Sequence, residues 1–345
     1  MSSRLSTRAT LAGGLGLLVL SLVVGAASGA YAISPSQLWR VLGSMWQGSA
    51  DPSPEHLVFV NIRLPRLILG VAAGAGLGMA GALMQGLFRN PLADPGLIGI
   101  SSGAALAAGV TIVLGAWLMP VLPRTLGSWT LVVMAFGGGL LVSLLIYGLS
   151  QSEGGTRVAL MLLAGIAVNA LAGAGLGFLS VMATDEQLRS LQFWLLGSLG
   201  GARWSAVLLV GAVVLLAAIA GLALAAPLNA IALGEAQAAL LGVDVERIKR
   251  RAVLVTAFAV GAVTATTGII GFVGLIAPHW VRMVAGPDHR VVLPASALLG
   301  AALVLAADTL ARTVMAPTEL PLGVLTAVIG VPVFLLMLRR FKGRI

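Results

Sequence analysis

Long stretches without any charged residue constrain the fold of this chain more than any other feature. Nine runs contain no Asp, Glu, Lys or Arg. They cover residues 9–39, 67–88, 95–123, 125–152, 158–184, 204–234, 252–281, 291–307 and 320–338. Each can hold a helix of about 20 residues, the length that crosses a bilayer, although 291–307 needs its flanks. Lipid-facing backbone must satisfy its own hydrogen bonds, so these runs are predicted to be helices.

The composition agrees with lipid as the solvent. Of the 345 residues, 59% are hydrophobic and 10% are charged, with a mean hydropathy of +1.03. A soluble domain carries about 25% charged residues. The chain has no cysteine, which excludes a disulfide framework, thiol catalysis and cysteine-ligated metal sites.

The first run has an alternative interpretation as a cleaved signal peptide. Arg4 and Arg8 would precede its apolar region, and Ala30-Tyr31-Ala32 would be the cleavage site. The charge-free run 9–39 is longer than the roughly 7–15 residues of such a region. We therefore interpret it as the first span.

Basic residues flank both ends of the chain, which places both ends in the cytoplasm by the positive-inside rule. The number of spans is then even, and ten is predicted. The extra crossing falls in 252–281, where glycines and Pro278 suit a break between a full and a short helix. With ten spans, most of the net charge of +9 lies inside, so the basic balance does not require a nucleic-acid partner.

The sequence lacks a recognisable energy-coupling site. A phosphate-binding loop needs Gly-Lys-Ser/Thr, and neither Lys249 nor Lys342 follows a glycine. The three histidines, at positions 56, 279 and 289, are too far apart for a helical metal pair, so no metal site is predicted. Proton- and sodium-coupled transporters usually need ionisable groups within the membrane. The deepest carboxylate, Asp308, comes just after the run 291–307, which argues against a secondary transporter.

Several motifs in order along the chain resemble the FecCD-type permeases of ATP-binding-cassette (ABC) importers for heme, iron-siderophores and cobalamin. They are RLPR at 63–66, NPLADP at 90–95, FWLLGSLGG at 193–201, LGEAQAALLG at 233–242, GFVGLIAPHWVR at 271–282, DHRVVLP at 288–294 and ELPLGVLTAVIGVPVF at 319–334. The segment 86–109 most resembles heme permeases, and the same motifs occur in the siderophore and cobalamin branches.

The resemblance implies an all-α membrane protein of ten spans forming one permease domain, residues 1–345, in the bacterial inner membrane. It implies alternating access, a second copy of the chain, two ATPase subunits and a periplasmic substrate-binding protein. It implies no cofactor bound by this chain, with ATP and Mg in the partner ATPase. The runs 61–184 and 250–340 each read as four helices starting on opposite sides, which indicates an inverted repeat. A proton-coupled exporter and a channel or structural membrane protein remain as alternatives.

Three arginines are predicted to lie outside, and the resemblance implies that they dock carboxylates of the binding protein. They are Arg63, Arg66 and Arg312. The alternatives are interface anchoring and local ion pairs. Arg312 lies four residues after Asp308, the spacing of a helical pair.

The loop 86–96 is predicted to face the cytoplasm, with Pro91 and Pro95 breaking the helix on both sides of Leu92. The resemblance implies a cytoplasmic gate at Asn90 and Leu92; an ordinary turn is the alternative. A second gate would lie near 156–160, where the sequence does not align cleanly with the family.

The segment 227–251 is the longest polar stretch on the predicted cytoplasmic side. Its short helix LGEAQAALLG would expose an apolar face unless a partner covers it, and a solvated loop is the alternative. The resemblance implies that this segment couples to the ATPase. The coupling residues chosen from its motif are Gly234, Glu235, Leu241 and Gly242.

The run 158–184 carries two candidate pathway residues, Met161 and Asn169. The resemblance implies that this span lines the pathway. The alternative is close helix packing, with Asn169 hydrogen-bonded to a neighbour and Gly173 and Gly177 as a small-residue pair.

Overall fold

The computed structural model describes residues 5–29, 31, 33–48, 53–118, 124–153 and 155–342, and within them the chain is almost entirely helical. The helices are α1 (Thr7–Ala27), α2 (Pro35–Gln47), α3 (Pro54–Val58), α4 (Leu64–Leu87), α5 (Ile100–Val113), α6 (Gly115–Leu118), α7 (Thr130–Leu149), α8 (Val158–Met182), α9 (Asp185–Leu196), α10 (Trp204–Leu222), α11 (Ala225–Ala232), α12 (Glu235–Leu240), α13 (Val245–Thr267), α14 (Val273–Ala285), α15 (His289–Thr313) and α16 (Leu322–Lys342).

Three short helical turns and one hairpin complete the described structure. A π-helical turn, Phe59–Arg63, joins α3 to α4, and 3-10 turns cover Pro95–Ile98 and Arg124–Trp129. The strands β1 (Gln151–Ser152) and β2 (Gly155–Thr156) pair antiparallel, with Gln151 opposite Thr156. The all-α prediction therefore holds apart from this hairpin.

Among the residues that the structure describes, six helical stretches are long and apolar enough to cross a membrane. They are Thr7–Ala27, Pro54–Leu87, Thr125–Leu149, Val158–Met182, Trp204–Leu222 and His289–Thr313. Shorter apolar helices cover Ile100–Val113, Val273–Ala285 and Leu322–Met337. Helix α13 has 23 residues and is charged only near its start. The chain is thus a multi-pass helical membrane protein, and the count of ten spans stays a prediction.

The break predicted within 252–281 is confirmed. Helix α13 ends at Thr267 and the 13-residue α14 begins at Val273. Gly268 and Phe272 have φ of +72° and +65°, a left-handed backbone that ends one helix before the next begins. The short α14 starts at a buried position, since Val273 is 4% exposed.

Helix α4 is the centre of the fold and is buried along most of its length. It packs against α10, α13, α14 and α15. Glycines allow this close approach, because a methyl group added at Gly78 would overlap the carbonyl of Ser296, and one at Gly81 would overlap that of Gly274. Small residues are what allow helices to pack at backbone distance in membranes.

The periphery of the bundle is apolar and exposed. Helix α5 packs on α7 and α8, while α1 packs on α15. The outer faces of α7, α8, α10 and α16 expose large side chains, including Leu141, Leu171, Leu216 and Val328. Surfaces of this kind fit lipid or another apolar protein surface rather than water.

Candidate functional site

The apolar surface predicted for the segment 227–251 is present. Gly234 and Gly242 bound α12 with φ of +128° and +79°, values that favour glycine. Leu240 is 89% exposed, and Leu233 and Leu241 are exposed beside it. Large apolar side chains this open need a covering partner.

One buried lysine anchors α12 to the rest of the bundle. The Lys249 side chain is 2% exposed, and its Nζ lies 2.8 Å from Glu235 Oε2 and 3.0 Å from Glu246 Oε1. The same Nζ donates to the backbone carbonyl of Thr156 at 2.7 Å. These contacts join α12, α13 and strand β2 through a single ammonium group. We call Glu235, Glu246, Lys249 and Thr156 the Lys249 cluster.

A polar cavity of about 380 Å³ lies beside this cluster. Its lining comes from the end of α7, the hairpin and the start of α13. The lining residues are Tyr147, Gln151, Ser152, Gly155, Thr156, Asp244, Glu246, Arg247 and Arg250. The cavity therefore borders the region 156–160, where the sequence suggested a second gate.

A second hydrogen-bonded line runs from α11 toward α4. Asn229 Oδ1 lies 2.7 Å from His289 Nδ1 and accepts from the His289 backbone N–H at 2.9 Å. His289 Nε2 lies 3.2 Å from Arg282 Nη2, and Arg282 also donates to Gln85 Oε1 near the end of α4. Hydrogen bonds from the Arg290 N–H and then from Asn229 Nδ2 hold the pKa of Asp288 below its usual range.

The loop that holds the predicted gate residues begins where this line ends. The Asn90 N–H donates to the Gln85 carbonyl at 3.1 Å. The Asn90 side chain accepts from the Leu92 N–H at 3.0 Å, an Asx-type turn that stiffens the loop. Asn90 is exposed and Leu92 is half-buried. Since the line from Asn229 reaches Gln85, it joins the segment 227–251 to the loop 86–96. We call Asn229, His289, Arg282 and Gln85 the His289 line.

The two candidate pathway residues are buried or half-buried in the chain. Met161 is buried in the main apolar core. Asn169 is half-buried, accepts from Ser102 Oγ at 2.5 Å, and donates to the Gly96 carbonyl at 3.4 Å. This geometry agrees with the packing alternative for Asn169. Gly173 and Gly177 have open space beside them instead of a neighbouring helix.

The three arginines expected to dock a binding protein are buried and bonded within the chain. Arg66 Nη2 lies 2.9 Å from Asp308 Oδ1, and Arg312 Nε lies 3.0 Å from Asp308 Oδ2. Asp308 is 1% exposed. Arg66 Nη1 also reaches Glu319 Oε1 at 2.8 Å, and that carboxylate is 43% exposed.

Two of these arginines also close the end of α1. Arg63 donates to the carbonyls of Ala26, Ala27 and Tyr31. Arg312 donates to those of Ser28 and Gly25 at 2.9 and 3.1 Å. The last carbonyls of a helix lack intrahelical partners, and basic side chains satisfy them well. The geometry favours the alternative of local ion pairs; docking itself stays an untested prediction.

Sequence reasoning missed several functional candidates. From the sequence, Lys249 had no role beyond its place in the polar segment 227–251, and Thr156 had none beyond the unaligned stretch 156–160. His289 and Arg282 stand inside family-like motifs, which was the one available signal, but no role followed from it. The described residues contain no group of three or more His, Asp or Glu that could hold a metal ion.

These features define the class of the protein as a multi-pass helical membrane protein with an uncovered apolar helix at one end. The model of the FecCD transport family matches residues 17–340, and the chain belongs to this family. It is therefore a permease subunit of an ABC transporter and not the ATPase.

Two curated relatives and one solved structure illustrate the similarity. The hemin transport system permease protein HmuU of Yersinia pestis is 47% identical over 96% of both chains. The cobalamin import system permease protein BtuC of Halobacterium salinarum is 43% identical over 84% of this chain and 75% of its own. A structure described as an inward-facing metal-chelate-type ABC transporter has 30% identity and a TM-score of 0.80. It covers 96% of this chain and 98% of its own.

Proposed function

We propose that this chain is the membrane-spanning subunit of an ABC importer that carries a metal chelate into the cytoplasm, with heme as the favoured substrate. The observation that carries the proposal is the 47% identity to a hemin permease over 96% of both chains. Cobalamin and ferric siderophores are the alternative substrates, and the 43% identity to a cobalamin permease supports cobalamin as an alternative.

The proposed assembly has two copies of this chain, two ATPase subunits and a periplasmic binding protein. Ten spans would place both ends in the cytoplasm of a bacterial inner membrane, with two inverted four-helix repeats. The open small-residue face at Gly173 and Gly177 supports a second copy against α8. The exposed leucines in and beside α12 support the ATPase as their cover. ATP and Mg would belong to that partner.

The proposed mechanism is alternating access driven from α12. ATP binding and hydrolysis in the partner would shift the coupling segment, and the His289 line supports a route from α11 to Gln85. The gate loop begins a few residues later, so movement of Gln85 would reach Asn90 and Leu92. Coupling through such a line requires elements with two discrete arrangements.

The contacts of the three arginines change the predicted way in which they would dock the binding protein. Arg66 and Arg312 already hold Asp308, and Arg66 also holds Glu319. A carboxylate of the binding protein would have to replace the half-exposed Glu319. We therefore propose that Arg63 and Arg312 mainly fix the external ends of α1 and α15, and that Arg66 alone offers a docking contact.

A secondary transporter is the weaker second candidate. It would need a buried carboxylate that exchanges ions during transport. Asp308 is the deeply buried carboxylate among the described residues, but two arginines hold it. These two ion pairs account for the buried charge of Asp308 without a role in ion exchange.

The substrate assignment is tested by ATP hydrolysis in liposomes containing the permease, its ATPase and the cognate binding protein. Heme, cobalamin and a ferric siderophore are compared, each preloaded on the binding protein. We expect heme to stimulate hydrolysis above the unloaded protein and the other two not to. Stimulation by cobalamin or the siderophore alone would reassign the substrate, and no dependence on the binding protein would reject the importer.

A further inference from the structure

We propose that Lys249 is a positioning residue that makes α12 and the start of α8 move as one unit during transport. The inference rests on the proposed coupling role of α12 and extends that role to the start of α8. It begins from one geometric fact: the three oxygens around Lys249 Nζ come from three different elements.

All three N–H donors of the Lys249 ammonium group have partners. A lysine has three N–H donors, and here they face Glu235 of α12, Glu246 of α13 and the Thr156 carbonyl of β2 at 2.7 to 3.0 Å. The side chain is 2% exposed, whereas both carboxylates are about half open to water. A buried charge is costly to leave unpaired, so separating any one element from Lys249 is unfavourable.

Both backbone polar groups of Thr156 in strand β2 are bonded to α13. The Thr156 carbonyl accepts from Lys249, and the Thr156 N–H donates to Glu246 Oε2 at 2.9 Å. The Thr156 hydroxyl bonds the same carboxylate oxygen at 2.5 Å. Helix α8 starts at Val158, only two residues later. This short connection leaves little slack between the cluster and α8.

The two networks lead to different places. The His289 line leads from α11 to the loop of Asn90, whereas the Lys249 cluster leads from α12 to α8. A movement of the coupling segment would therefore reach α4 and α8 together. Without Lys249, Glu235 and Glu246 would face each other as like charges, and α12 would separate from the hairpin.

The first test compares Lys249→Met with Arg8→Met in liposomes with the ATPase and binding protein. Both variants remove one positive charge, but Arg8 is exposed in α1, outside the segment 227–251 and the Lys249 cluster. We expect uptake per ATP hydrolysed to fall about tenfold in Lys249→Met, and to stay at the wild-type ratio in Arg8→Met. An unchanged ratio in Lys249→Met overturns the proposal.

Glu235→Gln covers the case in which Lys249→Met fails to fold. This substitution weakens only the contact between Lys249 and α12, and it leaves Lys249 bonded to Glu246 and Thr156. We expect a smaller fall in uptake per ATP, in the same direction. A well-folded Glu235→Gln permease with the wild-type ratio would equally overturn the proposal.

A distance measurement separates positioning from simple stabilisation. The chain has no cysteine, so cysteines introduced at the exposed Gln237 and Glu153 can carry the only spin labels. Labelled copies are diluted with unlabelled, cysteine-free copies so that only the distance within one copy is measured, and we expect it to be narrow with and without ATP in the wild type. In Lys249→Met the distribution should broaden and change with ATP. A narrow, unchanged distance in the variant contradicts the proposal.

A different result is expected if the proposed coupling role of α12 is wrong than if only the Lys249 proposal is wrong. If Leu240→Asp retains the ATPase at wild-type level, α12 is not the docking element and both proposals fall. If Leu240→Asp releases the ATPase while Lys249→Met keeps normal uptake per ATP, only the role of Lys249 is rejected.

Discussion

At the scale of single residues, Asp308 is a buried carboxylate, 1% exposed, that is paired with two arginines. The spacing of four residues predicted its pair with Arg312, and that pair is present at 3.0 Å. Its contact with Arg66 joins positions 242 residues apart, a separation that no local pattern can reveal. The sequence therefore predicted one half of this cluster, and the fold supplied the other half.

Replacing Asp308 by Asn should destabilise the protein by roughly 3–5 kcal/mol, because two arginines would lose their buried counter-ion. Glu319→Gln is the matched control. Its carboxylate is 43% exposed, and exposed pairs contribute only about 0.2–1 kcal/mol. Thermal unfolding of the purified permease in detergent measures both variants. Equal losses in the two variants would mean that burial does not set the strength of this cluster.

At the scale of helices, the glycines divide into two groups that the sequence could not separate. Both Gly74–Gly78 in α4 and Gly173–Gly177 in α8 have the spacing of a small-residue helix contact. The structure places Gly74 and Gly78 against the backbone of α15, but leaves Gly173 and Gly177 uncovered. The difference depends on which face each helix turns inward, and uniformly apolar spans carry no signal for that.

Gly78→Ala and Gly177→Ala add the same methyl group in these two environments. The first should cost roughly 1–3 kcal/mol through overpacking against Ser296, lowering the unfolding temperature. The second should leave the unfolding of the separated chain near wild type, and weaken association between copies if α8 forms that contact. Unfolding in detergent and size-exclusion chromatography with light scattering measure the two effects. A stable Gly78→Ala protein would contradict the close approach of α4 and α15.

At the scale of the whole molecule, charge and hydropathy predicted much of the architecture. Charge-free runs located the apolar helices, and the parity of basic ends predicted the break between Thr267 and Val273. The exposed leucines in and beside α12 followed from an apolar face within a polar segment. The Lys249 cluster and the His289 line did not follow, because both join distant segments through side chains whose partners only the fold brings together.

The orientation of the chain is testable because cysteine is absent from its sequence. Single cysteines at Gln237 and Gln47 should react from opposite sides of the membrane. We expect an impermeant maleimide to label the Gln47 position in intact spheroplasts and the Gln237 position only after permeabilisation. The reverse pattern would invert the topology, and labelling of both in intact cells would contradict an odd number of crossings between them.

If a separate ATPase moves this permease through α12, the ATPase must contact the exposed leucines in and beside that helix. Leu240→Asp and Leu241→Asp place a charge on the exposed apolar face, with Leu141→Asn on the periphery of α7 as the control. Copurification of the ATPase and ATP-dependent uptake are measured together. We expect the Leu240 and Leu241 variants both to lose the ATPase and uptake, while the control keeps the ATPase. A Leu240→Asp permease that retains its ATPase and transports at the wild-type rate would contradict it.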